Sequence, residues 1–247
     1  MSPPVTLVAG ASGALGRGIV DRLLRDGRHV VAIGRDEGRL SAIPDDPRLE
    51  RLAHDVRDDA APVRQIVGRR RVDGIIHGAG DRLAGSILTV ENEAIHAAIA
   101  IKVVGLLQLV RGLLENLVEG SRVIAIGGNL GFDPSPAAAT PGLGNAAQAA
   151  AIRQLNRALA PRGVTCHTVA PGPVDTPRFE ALVSAEAERR GVDVATARAE
   201  LVADSPLGRA TTIPEVSWAV ARLLEPEASA LAGSTLLLDT GRRTAIP

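Results

Sequence analysis

The stretch of sequence that decides the fold is Gly10-Ala11-Ser12-Gly13-Ala14-Leu15-Gly16. It lies between an apolar run at 5–9 and a helical pattern at 14–25. Small residues let the backbone turn tightly, and the free N–H groups at the start of a helix attract an anion such as a pyrophosphate. The turn therefore predicts an anion-binding site, although a glycine-rich turn can also serve only to pack a helix against a strand.

Short apolar runs alternate with longer helical patterns along the whole chain. The runs predicted as strands are 5–9, 29–33, 49–53, 74–77, 122–126, 164–169 and 235–238. The helical patterns are 14–25, 60–69, 89–117, 145–160 and 213–224. The runs are apolar almost throughout, which is typical of parallel strands that helices cover on both faces. We therefore predict an α/β fold, a single Rossmann-type domain over 1–247 with a doubly wound parallel sheet of about seven strands.

Two segments are predicted to lie outside this alternating pattern. Residues 127–142 are rich in Gly, Pro and Ala, so we expect a loop there. Residues 173–207 begin with Pro and Thr and continue as charged, helical sequence. That segment is the natural candidate for a lid over a substrate site.

The composition excludes several classes of protein. Lys and Arg total 28 and balance 28 Asp and Glu, so we expect neither a nucleic acid nor an anionic membrane as partner. The longest apolar stretch, near 95–110, carries Lys102 and Gln108 and is predicted not to span a membrane. Cys166 is the one cysteine, and the histidines show no metal-ligand spacing, so we expect no metal. With no signal peptide in view, we expect a cytoplasmic protein.

Several motifs together resemble the short-chain dehydrogenase/reductase family. Gly10 and Gly16 match its Thr-Gly-x3-Gly-x-Gly turn, with Ala9 and Ala14 in place of the Thr and the middle Gly. The other matching segments are His77-Gly78-Ala79-Gly80, where the family has Asn-Asn-Ala-Gly, then Asp55-Val56, Pro171-Gly172 with Thr176, Leu207-Gly208-Arg209 and Leu238-Asp239-Thr240-Gly241. The resemblance covers essentially the whole chain.

The resemblance implies a nicotinamide dinucleotide cofactor. The family's adenine contacts correspond to Asp55 and Val56, and its nicotinamide turn corresponds to Pro171, Gly172 and Thr176. The full set of expected cofactor residues is Gly10, Ser12, Gly13, Leu15, Gly16, Arg35, Asp55, Val56, Ala79, Gly80, Pro171, Gly172 and Thr176.

The end of the second strand decides between NADP(H) and NAD. NAD-binding members usually place an acid there to hold the ribose diol, whereas this chain has Gly34 followed by Arg35. A guanidinium can bind a 2′-phosphate with paired hydrogen bonds, and Arg17 is also near. We therefore favour NADP(H). A strand longer or shorter by one residue would instead make Asp36 a ribose ligand and favour NAD.

The usual catalytic set of the family, Asn, Ser, Tyr and Lys, is missing. By alignment these four residues fall on Lys102, Gly128, Pro141 and Asn145, and the chain contains no Tyr at all. In the family the Tyr donates a proton to a carbonyl while the cofactor delivers hydride. A positioned general acid is worth about 10²–10⁴ in rate, so ordinary alcohol–ketone chemistry is improbable here.

Two features suggest other roles for the remaining polar groups. The chain has Lys102 where the family has Asn, and Asn145 where the family has Lys. If the two residues have exchanged roles, the ammonium of Lys102 reaches the space that the family's catalytic Lys occupies. The alternative is that the two substitutions are independent and Lys102 points elsewhere. His77, at the carboxyl end of a central strand, is a second candidate proton donor, or it only hydrogen-bonds the backbone.

Three functions remain open from the sequence. The first is an NADP(H)-binding protein with a degenerate catalytic site. The second is a reductase with a non-standard proton donor such as His77 or Lys102, and the third is a non-redox cyclase, dehydratase or isomerase that acts on a small molecule. The helices at 89–117 and 145–160 are the surfaces through which family members associate, so we also expect a homo-dimer or homo-tetramer.

Overall fold

A computed structural model describes residues 3–80 and 85–244. Its centre is one parallel sheet with the strand order β3-β2-β1-β4-β5-β6-β7. The strands are β1 Val5–Ala9, β2 His29–Gly34, β3 Leu49–Ala53, β4 Val72–His77, β5 Arg122–Ile126, β6 Thr165–Pro171 and β7 Thr235–Leu238. The predicted doubly wound parallel sheet is confirmed.

Helices cover both faces of the sheet. The α-helices are α1 Ala14–Arg25, α2 Glu37–Ser41, α3 Ala61–Val67, α4 Asn92–Ile99, α5 Gly105–Gly112, α6 Ala139–Leu159, α7 Pro177–Arg190, α8 Val194–Leu201 and α9 Ile213–Leu223. A π-helical segment, Ala100–Val104, joins α4 to α5 in one continuous helix. The sequence patterns did not predict α2 or the π-helical segment.

The two faces of the sheet carry separate hydrophobic cores, since neighbouring residues on a strand point in opposite directions. On β4, Ile75 packs in the core shared with α3, α5 and α6, whereas Ile76 packs in the core shared with α1 and α9. Both side chains are fully buried. This explains why the strands read as continuous apolar runs.

The segment after β6 forms a small helical unit of its own. Helices α7 and α8 pack together around a third cluster that includes Phe179, Val183 and Ala197. The helical content expected for 173–207 is therefore present, and its role as a lid stays a prediction.

Helix α6 begins earlier than expected. The sequence predicted a loop over 127–142, but the helix starts at Ala139 and includes Pro141 in its first turn. Proline is tolerated there because the first N–H groups of a helix have no partner within the helix. The loop prediction was therefore wrong for 139–142.

The continuous helix Asn92–Gly112 is long and apolar enough to cross a membrane by length and composition, with a mean hydropathy of 1.7. Its window is 33% buried. The buried side includes Leu106 and Leu109, which lie in the core beside the sheet. The helix therefore belongs to the layer that covers the sheet, and its exposed residues include His96, Val104 and Arg111.

The sheet places a crevice at the carboxyl ends of β1 and β4. The chain leaves β1 toward β2 on one side, and β4 lies on the other, so the connections diverge above these two strands. In open α/β sheets such a point is where ligands bind. Gly10, with φ +83°, closes the turn there, and a Cβ on it would lie 2.7 Å from the carbonyl carbon of Gly78.

Gly16→Ala is expected to destabilise the protein by roughly 1–3 kcal/mol, since an added Cβ would overlap the carbonyl oxygen of Gly10 and force the turn apart. Urea unfolding would measure the change. Gly38→Ala is the control, because its Cβ would meet only Asp36 Oδ1 at 3.4 Å. Equal stability of the two variants would contradict this account of the turn.

Candidate cofactor and catalytic site

A cleft of about 430 Å³ lies at the carboxyl ends of the central strands. Every residue expected to bind the cofactor lines this cleft, except Pro171 and Gly172. The lining residues are Gly10, Ser12, Gly13, Ala14, Leu15, Gly16, Gly34, Arg35, Arg39, His54, Asp55, Val56, Gly78, Ala79, Gly80, Ile101, Thr176, Pro177 and Arg178. The arrangement suits an elongated anion laid across the amino terminus of α1.

Pro171 and Gly172 lie beside this cleft, at the end of β6. The Gly172 N–H donates to the carbonyl of Leu238 at 3.0 Å, which fixes the turn against β7. Thr176 then caps α7, accepting a hydrogen bond from the N–H of Phe179 at 3.3 Å. The turn thus connects the carboxyl end of β6 to the first residues of α7, which line the cleft.

The end of the cleft next to β2 is rich in guanidinium groups. Arg35 and Arg39 both line it, and Arg39 donates to the carbonyl of Ser12 at 3.1 Å. Arg17 donates in turn to the carbonyl of Arg39 at 2.9 Å. A side chain at position 34 would be crowded, because a Cβ on Gly34 would lie 3.0 Å from Ser12 Oγ and 3.3 Å from Leu40 Cδ2.

Asp36, the alternative ribose ligand, has another partner. Its carboxylate accepts a hydrogen bond from the N–H of Arg39 at 2.9 Å and so caps helix α2. It does not line the cleft. Arg39 itself was missed from the sequence, although Asp36 is a favoured cap residue and would have placed Arg39 in the first turn of a helix.

The opposite wall carries the residues expected at the adenine. Asp55 forms an ion pair with Arg57 at 2.6 Å, and this hydrogen-bonded guanidinium lowers the pKa of the carboxyl group. The side chain of Asp55 is therefore ionised at neutral pH, when it can only accept hydrogen bonds. Val56 is buried beside it, against the start of α5 at Gly105.

Asn145 and Gly128 meet in the region where the family has its catalytic set. A Cβ on Gly128 would lie 2.7 Å from Asn145 Nδ2 and 3.7 Å from the carbonyl oxygen of Pro171. Pro141 lies one helical turn before Asn145, on the same side of α6. The structure therefore brings these three positions together beside the β6 turn, with an amide occupying the space into which a serine would project.

Lys102 reaches the same region from the π-helical segment. Its Nζ donates to the carbonyl of Ile126, the last residue of β5, at 2.8 Å. Its side chain runs past Gly80 and Gly144, whose added Cβ atoms would lie 3.6 Å from Cε and 3.5 Å from Cγ. The amine lies near the cleft wall at Gly80. No hydrogen bond joins Lys102 to Asn145 among the described residues, so their exchange of roles stays a hypothesis.

Burial, and to a smaller extent the Arg178 guanidinium, lower the pKa of Lys102 to about 8. A buried ammonium loses hydration, and a neighbouring cation repels it, so both effects favour the neutral amine. More of the Lys102 amine is therefore unprotonated near neutral pH than in an ordinary lysine.

A buried glutamine links Lys102 to His77. Gln148 Nε2 lies 3.1 Å from His77 Nδ1 and donates to the main-chain carbonyl of Lys102 at 3.3 Å. Because the carbonyl of Lys102 can only accept, the NH₂ group of Gln148 must face it. The same NH₂ group faces His77, so His77 Nδ1 is the acceptor. Gln148 was not singled out from the sequence, because only the fold brings α6 beside β4.

His77 is poorly suited to donate a proton. Burial, with a smaller contribution from the charge of Lys102, lowers the pKa of His77 to about 3. The imidazole is therefore neutral over the physiological range, and its Nε2 has no hydrogen-bond partner in the described structure. These observations disfavour the predicted donor role, which mutagenesis must still test. Among residues 3–80 and 85–244, no group of His, Cys, Asp and Glu side chains is arranged to hold a metal ion.

Comparison with known proteins gives the family. The family model described as Enoyl-(Acyl carrier protein) reductase matches residues 10–243. The chain belongs to the short-chain dehydrogenase/reductase family, as its sequence motifs indicated.

Two curated relatives illustrate the range of lengths. An uncharacterized short-chain type dehydrogenase/reductase y4vI of Sinorhizobium fredii is 28% identical over 246 residues, which cover 96% of this chain but 43% of that protein. The chain thus spans less than half the length of this relative. The 3-oxoacyl-(acyl carrier protein) reductase FabG of Escherichia coli is 26% identical, and the match covers 96% of each chain.

Solved structures share the fold closely. A short chain dehydrogenase family protein from Francisella tularensis has a TM-score of 0.89 at 25% identity, covering 98% of this chain and 99% of its own. A short chain oxidoreductase from Pseudomonas aeruginosa, described as containing an atypical catalytic center, has a TM-score of 0.87 at 23% identity and covers 98% of each chain.

His77→Asn is expected to weaken the acid dependence of stability. The imidazole has a pKa of about 3 when folded and about 6.5 when unfolded, so its contribution is complete above pH 6.5 and is lost as the pH falls toward 3. The slope from one such group approaches about 1.4 kcal/mol per pH unit. Urea unfolding between pH 4 and 7 would measure it.

His96→Asn, at an exposed position on α4, is the matched control and should leave the acid slope unchanged. Some slope will remain in His77→Asn, because burial also lowers the pKa of His167 to about 4. Identical slopes for His77→Asn and the unaltered protein would show that His77 is not buried in its neutral form.

Proposed function

We propose that the protein is an NADP(H)-binding member of the family in which the ordinary Tyr-dependent alcohol–ketone route is lost. The observation that carries the proposal is the contrast between the two ends of one site. The cleft keeps the glycine turn and the expected cofactor residues, whereas Pro141 and Gly128 supply no acid and no hydroxyl. A nicotinamide bound there would supply hydride chemistry.

The guanidinium groups at the β2 end support NADP(H) over NAD. Arg35 and Arg39 both line the cleft where the adenosine ribose would lie, and a 2′-phosphate is recognised by such paired donors. An NAD-type carboxylate is missing, since residue 34 is a glycine and the carboxylate of Asp36 caps α2.

Arg35→Ala and Arg39→Ala are each expected to weaken NADPH binding roughly 10- to 100-fold and to leave NADH binding nearly unchanged. Each removes a charge-assisted hydrogen bond, worth about 1.5–3 kcal/mol, from the extra phosphate. Fluorescence titration with both cofactors would measure this. Arg25→Ala, at an exposed position paired with Asp21 on α1, is the control. Equal losses for NADPH and NADH would contradict the NADP(H) assignment.

A second candidate function keeps the redox reaction and changes the proton source. The specific observation that favours it is the Lys102 ammonium, which lies beside the cleft wall with a pKa of about 8 and is therefore able to release a proton near neutral pH. In that reaction the ammonium would protonate the carbonyl oxygen as hydride reaches the carbon.

Rebuilding the usual set would test the proposal. The variant that combines Lys102→Asn, Gly128→Ser, Pro141→Tyr and Asn145→Lys is expected to gain ketone reduction of roughly 10²-fold or more over the unaltered protein, because it supplies the missing general acid. Asn145 must change together with Gly128, since a serine Cβ would press on its amide. The measurement is NADPH oxidation across a panel of small ketones.

The matched control replaces Pro141 with Phe instead of Tyr in the same background, which restores the ring without the hydroxyl. Binding of NADPH by the unaltered protein without turnover supports the proposal. Turnover by the unaltered protein that Lys102→Ala abolishes would favour the second candidate. Failure of the unaltered protein to bind either cofactor would overturn both.

The proposal includes a homo-dimer or homo-tetramer. Its support is a pair of exposed apolar side chains, Val104 in the helix Asn92–Gly112, which is 43% exposed, and Leu143 of α6, which is 41% exposed. Helices α4 and α6 pack against each other, so these side chains belong to one layer of the protein. Burying these side chains against a second copy would remove them from water.

A further inference from the structure

The amine of Lys102 is the one side-chain amine in the chain, and the fold places it at the sheet edge where ligands bind. Its Nζ is held at the end of β5 by the carbonyl of Ile126. A Cβ on Gly80, a residue of the cleft wall, would lie 3.8 Å from Nζ. The amine therefore lies within a few ångströms of the cleft wall at Gly80.

The surroundings of the amine are unusual for a lysine. Among the described residues Lys102 forms no ion pair, and its hydrogen-bond partner is a neutral carbonyl. The guanidinium of Arg178 is close enough to repel the ammonium and to lower the pKa of Lys102 further. Desolvation together with a neighbouring cation is the environment that converts a lysine into a nucleophilic amine.

We propose that Lys102 is a covalent attachment site for small carbonyl compounds, aldehydes or 2-oxo acids, that enter the cleft. The nitrogen lone pair attacks the carbonyl carbon and forms a C–N bond, and one amine proton moves to the oxygen. Loss of that hydroxyl with the second amine proton releases one water and leaves an imine. The reaction consumes no oxidant or reductant and is reversible by hydrolysis.

The geometry around Lys102 favours this reaction over a purely structural role, in which the amine would only hold the end of β5 by its hydrogen bond to Ile126. Gly80 lies beside the end of the side chain, and Gly144 lies beside its stem. The hydrogen bond to Ile126 uses one N–H, so a neutral amine keeps its lone pair for attack.

This inference goes beyond nicotinamide binding and does not require it. Imine formation needs the amine and the cleft, and it should occur in the absence of any cofactor. NADP(H) bound at the same end of the cleft should slow it by exclusion. The two proposals can therefore fail separately.

The test uses the unaltered protein with sodium cyanoborohydride and either propanal or pyruvate, followed by peptide mapping by mass spectrometry. Cyanoborohydride reduces the imine and fixes the adduct. Because the chain has one lysine, an adduct on a lysine peptide is an adduct at Lys102, and mapping separates it from the amino-terminal amine. Modification should depend on pH with a midpoint near 8 and should slow at least about tenfold in 8 M urea at the same pH, where Lys102 becomes an ordinary exposed lysine.

The reference is a double variant, Lys102→Arg with Arg69→Lys, which moves the amine to an exposed position. At pH 7.5 the lysine introduced by Arg69→Lys should react at least about tenfold more slowly than Lys102, because an ordinary lysine has a pKa of about 10.4. Equal rates, or a midpoint above pH 10 in the folded protein, would overturn the proposal. An adduct formed by a protein that binds no NADPH would leave this inference standing and remove the proposed function.

Discussion

The close approach of three backbone segments at Gly10 is the constraint on which the rest of the site depends. The turn after β1, the start of α1 and the turn after β4 meet there, and the N–H of Gly78 donates to the carbonyl of Ala9 at 2.9 Å. Side chains on Gly10 or Gly16 would separate these segments. The tight turn aims the free N–H groups of α1 into the cleft, and it also sets the distance between the cleft and the end of β4.

The cofactor cleft and the region beside the β6 turn form two ends of one site, and their residues fit together in different ways. At the β2 end, Arg35 and Arg39 line the cleft, and Asp36 turns away from it to cap helix α2. At the other end, two residues that differ from the family's usual catalytic set, Gly128 and Asn145, lie next to each other. An amide on Asn145 fills the volume that a serine on Gly128 would need, so the loss of one residue accommodates the change in the other.

The fold was largely predictable, and the reason is that the strands are buried on both faces. Their apolar runs are visible in the sequence whatever the tertiary structure, and five-residue strands such as β1 and β5 were located correctly. The start of α6 was missed because Pro141 and the glycines around it normally indicate a loop, whereas packing against the loop at Gly131 fixes them as a helix. The glycine turn was recognised because its small residues are adjacent in sequence. Arg39 and Gln148 were missed because their roles depend on contacts between residues distant along the chain.

The π-helical segment at Ala100–Val104 has a geometric effect on the outer surface of its helix. An α-helix repeats every 3.6 residues, whereas the π-helical turn is wider. The side chains of α4 are therefore rotated about the helix axis relative to those of α5. The outward stripe of α4 is consequently not collinear with that of α5. A straight helix cannot pack along the outer sides of both α4 and α5. A partner surface that contacts both must bend at the π-helical segment.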